Sequence, residues 1–181
     1  MIMRTKGQIP FVITMAFSFC TIAGCGVGPT EVDHKAWESC ERGYKAADSG
    51  NFAGAAHYFD EAVRLDPKAA WVYHARAENY VKLGEYDKAI TDCTEAILLR
   101  KYNCDGARYC MTRAKAHEKK GDYDKTIADY TEAIRLRPKY ASDRSACYLG
   151  RGRAYEKNGE KSKAEADFSE AGKQKPGFGE E

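Results

Sequence analysis

From residue 36 onward, apolar residues recur at helical spacing in paired segments, and a glycine separates the two segments of each pair. Four such stretches align with one another, and the glycines on which they align are Gly50, Gly84, Gly121 and Gly159. Successive glycines lie 34, 37 and 38 residues apart, so a few residues are inserted before the third and fourth copies. The pattern predicts four helix-turn-helix units, at residues 36–69, 70–103, 107–140 and 145–178.

Small residues recur at positions 8, 20 and 27 of each unit, where two antiparallel helices would approach closely. Position 8, for example, is Gly43, Ala77, Ala114 and Gly152. Position 24, which would fill the gap beside them, is bulky in three units, as Phe59, Tyr130 and Phe168. The pattern resembles the tetratricopeptide repeat, a helix-turn-helix of 34 residues, over about four fifths of the chain. The resemblance implies an all-α fold, a right-handed α-solenoid of four repeats.

The last unit differs from the others on one face of its second helix. Positions 21, 28 and 30 should pack on the next unit, and they are apolar in the first three units. In the fourth unit they are Glu165, Gly172 and Gln174. A polar outer face is what a terminal repeat of a solenoid needs, so residues 145–178 are predicted to be a capping repeat.

Oppositely charged residues also recur at fixed positions. Position 7 is arginine in every unit: Arg42, Arg76, Arg113 and Arg151. Position 23 is aspartate in the last three units: Asp92, Asp129 and Asp167. The pattern predicts a recurring ion pair within or between repeats, and a ligand site is the alternative interpretation.

Residues 1–24 read as a signal peptide, because Arg4 and Lys6 precede an apolar run of 14 residues at 9–22. Residues 22–25, Ile-Ala-Gly-Cys, resemble the lipobox of bacterial lipoproteins. The resemblance implies cleavage before Cys25, lipidation of its thiol, and a tether over residues 25–35. Gly26, where aspartate would favour the inner membrane, favours the periplasmic face of the outer membrane; the outer face of the cytoplasmic membrane is the alternative. An ordinary signal peptide, or an uncleaved anchor with a chance cysteine, is the competing interpretation.

Five cysteines follow Cys25 in the sequence, so at least one thiol is left over if they form disulfides. Cys104 falls in the insertion before the third unit, and Cys147 lies near the start of the fourth. Both positions lie on the same rim of the array, which makes them the best candidate for a disulfide in an oxidising compartment. The alternative is that no disulfide forms.

No catalytic motif is recognisable in the chain, which contains no phosphate-binding glycine loop, no HExxH and no CxxC. Cys110 and His117 share a helix face, but His117 occupies the position of Tyr80 and Tyr155 and is predicted to pack in the core. The net charge of +2 comes from Arg4 and Lys6, since the other basic and acidic residues balance, and this argues against nucleic-acid binding. We therefore expect no catalytic residue, metal or cofactor.

The resemblance implies that first helices line a concave groove, mainly through positions 2, 5, 9, 12 and 13. The candidate partner-binding residues are Trp37, Tyr44, Trp71, His74, Glu78, Arg108, Met111, Lys115, Arg153 and Lys157. The groove is aromatic and apolar in its first half and basic in its second, which fits a peptide with an apolar and an acidic segment. Alternatively, Trp37 and Trp71 merely pack at the starts of equivalent helices.

Together these features predict a membrane-anchored, non-catalytic scaffold that binds a protein or peptide partner in the bacterial cell envelope. A self-associating structural lipoprotein of the envelope is the second hypothesis. An enzyme or small-ligand binder is the third, and it would need a polar pocket that the sequence does not reveal.

Overall fold

The computed structural model describes residues 31–99, 106–138 and 140–174, and this part of the chain is all-helical, as the sequence predicts. Its eight helices are α1 (Glu31–Asp48), α2 (Phe52–Leu65), α3 (Ala70–Leu83), α4 (Tyr86–Leu99), α5 (Gly106–Lys120), α6 (Tyr123–Arg135), α7 (Ala141–Lys157) and α8 (Lys161–Lys173).

Successive helices pack as four hairpins, α1–α2, α3–α4, α5–α6 and α7–α8. The four glycines that align in the sequence lie in the turns, with φ between 78° and 81°. A residue with a Cβ atom is strained in this left-handed region, which explains why glycine recurs at the turn.

Small residues allow the two helices of each hairpin to approach closely, as predicted. An added Cβ atom at Gly43 would lie 2.8 Å from the ring of Phe59, which is 1 % exposed. The same relation joins Gly152 and Phe168, where the distance would be 2.6 Å. The aromatic ring at position 24 therefore fills the space that the glycine leaves open.

First helices of neighbouring hairpins contact one another, α1 with α3, α3 with α5 and α5 with α7. Over the described residues, the second helices of neighbouring hairpins make no such contacts. The hairpins are thus closer together on the side of the first helices, which makes that side the concave face of the solenoid. On the last described helix Glu165 and Gly172 are exposed, and the assignment of residues 145–178 as a capping repeat stays a prediction.

Helices α1 and α7 begin four or more residues earlier than the sequence pattern indicates. Helix α1 begins at Glu31, so residues 31–35 are helical and the prediction of a tether is wrong for them. Ala36 in the next turn of this helix is already buried. Helix α7 begins at Ala141, four residues before the predicted unit, because the insertion there extends the helix by one turn.

That extra turn of α7 is held in place by Arg144. Its guanidinium donates to the carbonyl oxygen of Pro138 at 3.1 Å and to Oε1 of Gln174 at 3.0 Å. The inserted residues therefore connect the third repeat with the end of the capping repeat.

Candidate functional site

Three of the recurrent arginines form the predicted ion pairs, each with the aspartate of its own repeat. The side chains meet through two hydrogen bonds, of 2.7 and 2.8 Å in Arg76–Asp92, 3.0 and 2.7 Å in Arg113–Asp129, and 2.8 and 2.8 Å in Arg151–Asp167. All three aspartates are buried. Hydrogen bonding to the aspartate raises the pKa of each arginine.

Each of these arginines also donates a hydrogen bond to the side chain at position 25 of the preceding repeat. The acceptors are Asp60 for Arg76 at 2.9 Å, Thr94 for Arg113 at 3.1 Å and Thr131 for Arg151 at 3.1 Å. We call this series the arginine ladder. Because its donors bind within and between repeats, the ladder is structural, and the alternative of a ligand site loses its support.

The aromatic half of the predicted groove lies on the concave side of the first two repeats. Trp37 is 43 % exposed, and its ring lies 6.1 Å from that of the half-buried Trp71. Tyr44 is 42 % exposed and packs edge-on against Phe59 at 5.3 Å. Trp71 also packs against the core cluster that contains Phe59. Its side chain therefore contributes to packing and also exposes surface to the groove, so the packing interpretation and the partner-binding interpretation both apply to it in part.

Two predicted groove residues, His74 and Met111, are buried and expose too little surface to contact a partner. Nε2 of His74 lies 3.0 Å from Oγ1 of Thr112, and burial lowers the pKa of His74 to about 3. Met111 joins the core of the third repeat. Sequence alone assigned both to the groove because position 5 belongs to the first helix. The structure covers this position with the following repeat, since His74 packs against Tyr109 of α5 and Met111 shares a core cluster with Cys147 of α7.

The residues of the predicted basic half of the groove are exposed: Arg108, Lys115, Arg153 and Lys157. Arg153 lies 3.5 Å from the carboxylate of Glu118, a separation at which an exposed pair contributes little stability. These side chains therefore remain available to an acidic partner.

A pocket of about 590 Å³ lies on the concave face between α1, α3 and α5. It brings together three predicted groove residues, Tyr44, Glu78 and Lys115, which occupy position 9 of successive repeats. Trp37, Trp71, Arg153 and Lys157 lie outside its lining. Burial raises the pKa of Glu78, which is half-buried in the wall.

Sequence reasoning missed five residues of the pocket wall: Phe52, Phe59, Ala75, Asn79 and Thr112. Phe52 and Phe59 belong to the second helix of the first repeat, whereas the family pattern directs attention to first helices. No repeat pattern could have indicated Asn79, because the other repeats have Lys45, Ala116 and Ala154 at position 10.

The described cysteines are core residues. Cys40, Cys93 and Cys147 are fully buried, and burial raises the pKa of Cys40 and of Cys147 to about 12. His117 is also buried, as predicted. The described segments contain no group of three or more His, Cys, Asp or Glu residues placed to hold a metal. Cys25 and Cys104 lie outside the described residues, so lipidation and the Cys104–Cys147 disulfide stay predictions.

None of the helices in the described part is both long and apolar enough to cross a membrane.

Hairpins stacked side by side with a concave inner face define the class of the protein as an α-helical repeat solenoid. Tetratricopeptide repeat models match residues 46–91 and 111–177, together more than half of the chain. The chain belongs to the tetratricopeptide repeat family.

Solved structures with the same fold include MamA, with a TM-score of 0.67, 24% identity and 77% coverage of both chains. BtubC from P. vanneervenii has a TM-score of 0.76 at 15% identity, with 86% of this chain and 70% of that one covered. The second TPR domain of human RPAP3, solved with the HSP70 peptide SGPTIEEVD, has a TM-score of 0.55 at 20% identity, with 78% and 98% covered. These similarities show the fold.

Sperm-associated antigen 1 of Rattus norvegicus is 30% identical over 76 residues, which are 41% of this chain. The match spans only 8% of that protein. What the repeats support at this level is a protein-interaction scaffold, a role typical of the family.

Proposed function

We propose that this protein is a lipid-anchored, non-catalytic scaffold that holds a protein or peptide partner on its concave face in the bacterial cell envelope. The observation that carries this proposal is the pocket between α1, α3 and α5, flanked by exposed aromatic side chains at one end and by basic ones at the other. Aromatic and arginine side chains are typical anchors of protein interfaces.

A macromolecular partner fits this face better than a small substrate. The exposed predicted residues run from Trp37 in the first repeat to Lys157 in the fourth. A small molecule in the pocket would leave most of them without a contact. An extended peptide with an apolar and an acidic segment would engage both halves.

The proposed anchor would keep the solenoid close to a membrane. Only residues 26–30 separate Cys25 from the first residue of α1. Fully extended, five residues reach at most roughly 18 Å. A partner on the concave face would therefore be held near the lipid surface, with the periplasmic face of the outer membrane favoured by Gly26.

Cys25→Ser is expected to abolish acylation of the full-length protein in a bacterial host. The thiol is the only group at residue 25 that can accept the diacylglyceryl chain. Metabolic labelling with a clickable palmitate analogue, together with intact mass, measures the effect. Cys20→Ser, in the apolar run before the cleavage site, is the matched control and should label normally. Equal labelling of Cys25→Ser and wild type, or none in either, would refute the anchor.

Trp71→Ala and Arg153→Ala are each expected to weaken partner capture by about tenfold or more, because truncation of an interface anchor costs on the order of 2 kcal/mol. Leu98→Ala is the control, since Leu98 is 72 % exposed on a second helix, away from the concave face. Quantitative affinity capture of the full-length protein from its host measures the effect.

The pattern across the variants separates the hypotheses. If both groove variants fail to capture an envelope protein that wild type and Leu98→Ala capture, the scaffold hypothesis is supported. Loss in Leu98→Ala alone would move the interface to the other face. Recovery of the protein only with itself would favour the self-associating lipoprotein.

A further inference from the structure

Two positions of the repeat are buried in the first three repeats and exposed in the fourth. Position 5 is buried as Cys40, His74 and Met111. Position 24 is buried as Phe59, Cys93 and Tyr130. In the fourth repeat Leu149 and Phe168 occupy these positions, and they are 36 % and 37 % exposed. Apolar side chains thus stand uncovered where the fold otherwise covers them.

These two side chains lie close together at the end of the array. The ring of Phe168 fills the space above Gly152, where an added Cβ atom would lie 2.6 Å from it. Leu149 precedes Gly152 by three residues, which is less than one turn of α7. We call Leu149 and Phe168 the terminal patch. Helix α8 is the last helix that the structure describes, so it leaves the patch to be covered by something else.

Basic side chains continue from the terminal patch along α7. Arg153 and Lys157 follow Leu149 at intervals of four residues, so the three side chains share one stripe of the helix. Both basic side chains are exposed. The other charged groups of this part of the groove balance one another, and they are Glu118, Glu156, Lys115 and Lys119. The stripe therefore presents an apolar position followed by two positive charges.

The sequence that follows the described part of the chain has the complementary order. Residues 175–181 are Lys-Pro-Gly-Phe-Gly-Glu-Glu, and they lie outside the described residues. Phe178 is the one large apolar residue among them, and Glu180 and Glu181 come two and three residues later. Pro176 has no backbone N–H and therefore disfavours a continuation of α8. An apolar group followed by two negative charges matches the stripe on α7.

Segment 175–181 is long enough to reach this stripe. Nε of Arg144 donates to Oε1 of Gln174 at 3.0 Å, so the described end of α8 lies beside the start of α7. Leu149 follows Arg144 by five residues, which is about 7.5 Å along a helix. Phe178 follows Gln174 by four residues, which span at most roughly 14 Å when extended. The side chain of Phe178 can therefore reach Leu149.

We propose that segment 175–181 folds back along α7 and covers this end of the concave face. Phe178 packs against the terminal patch, and the carboxylates of Glu180 and Glu181 bind the basic side chains of the stripe. Two residues of extended chain span about 7 Å, and one helical turn is about 5.4 Å. The apolar and the charged contacts are therefore in register.

This placement makes segment 175–181 an intramolecular competitor for the basic half of the proposed partner site. The segment carries the combination of apolar and acidic groups that the groove fits in a partner. A closely tethered segment has an effective concentration in the millimolar range, so a partner must displace it. Only the competition rests on the proposed concave-face function, since the packing of the segment on α7 requires no partner.

Photo-crosslinking tests the placement. A benzophenone analogue of phenylalanine replaces Phe178 in the full-length protein in lipid nanodiscs, prepared as a mixture of isotopically light and heavy chains. We expect crosslinks within one chain to the tryptic peptides 145–151 and 164–173, which carry the terminal patch. Crosslinks between light and heavy chains would assign the patch to a second copy and overturn the proposal. A lack of crosslinks to both peptides would overturn it as well.

Leu149→Asp should lower the yield of these crosslinks about fivefold, because it removes apolar area from the patch. Leu149 is partly exposed, so the fold does not depend on it. Leu98→Asp, at an exposed leucine of α4, is the matched control and should leave the yield unchanged. Equal yields in the two variants would show that the terminal patch does not hold Phe178.

The acetylated and amidated peptide of residues 175–181 measures the competition by NMR titration. Its dissociation constant is expected to be about fivefold lower when Phe178→Ser, Glu180→Gln and Glu181→Gln disable the chain's own segment. Lys175→Gln is the control, because it changes the segment without touching these contacts, and it should bind the peptide as wild type does. Equal binding to wild type and the triple variant, or no binding to either, would refute the competition.

The outcome is separable from that of the proposed function, because the crosslink requires no partner. If the crosslink forms while partner capture fails, the placement of the segment stands and the scaffold falls. If capture depends on Trp71 and Arg153 while the crosslink is absent, the scaffold stands and the placement falls.

Discussion

Phe59→Ala is expected to lower the free energy of unfolding by about 4 kcal/mol. Phe59 is 1 % exposed, fills the space above Gly43 and packs against the ring of Tyr44. Its removal would leave a cavity between α1 and α2 that a glycine cannot help to close. Urea denaturation followed by far-UV circular dichroism measures the loss.

Phe168→Ala is the matched control, because Phe168 occupies the same position 24 in the capping repeat. It is 37 % exposed, on the last helix that the structure describes. Its truncation should cost roughly 1–2 kcal/mol, in proportion to the smaller buried area. Equal losses in the two variants would contradict the packing described for the first repeat.

Asp92→Ala is expected to lower the free energy of unfolding by about 3 kcal/mol. The Asp92 carboxylate accepts two hydrogen bonds from Arg76, and both side chains are largely shielded from solvent. Without it, the arginine remains between the rings of Tyr73 and Tyr80 with its main counter-ion gone. The same denaturation experiment applies.

Asp60→Ala removes the other carboxylate that binds the same arginine, which makes it a closely matched control. Asp60 is 54% exposed at its side chain, so its loss should cost less than about 1 kcal/mol. A larger loss from Asp60→Ala than from Asp92→Ala would mean that the ladder stabilises the junction between repeats more than each repeat itself.

The repeat architecture was predictable because it depends on local features that recur. A glycine in every turn, small residues where helices meet and an apolar face at 3.6-residue spacing each indicate the same hairpin. The pairing of Arg113 with Asp129 was predictable for the same reason, since both recur at fixed positions.

Features that depend on how repeats stack were not predictable in this way. The second contact of each ladder arginine joins two repeats, and its acceptor changes from Asp60 to Thr94 and Thr131. Because the acceptor residue changes type from repeat to repeat, the sequence pattern does not show that this contact recurs. The burial of His74 against Tyr109 of α5, and of Met111 in a core cluster with Cys147 of α7, likewise follows from contacts between repeats, which a pattern within one repeat does not contain.

The pocket contains residues that the sequence predicted and residues that it did not. Tyr44, Glu78 and Lys115 were placed on one face by their common position in the repeat, and the structure brings them together. Asn79 was not predictable in this way, because position 10 varies among the repeats as Lys45, Asn79, Ala116 and Ala154. Phe52 and Phe59 of the wall come from α2, outside the pattern of the first helices.

Site-specific photo-crosslinking in living host cells tests the central claim most directly. A photoreactive phenylalanine analogue replaces Tyr44 on the concave face or, as the control, Leu98 on α4. The account predicts a discrete crosslink to one envelope protein from residue 44 and none from residue 98. Crosslinks from residue 98 alone would contradict it, and so would crosslinks from residue 44 only to further copies of the same chain.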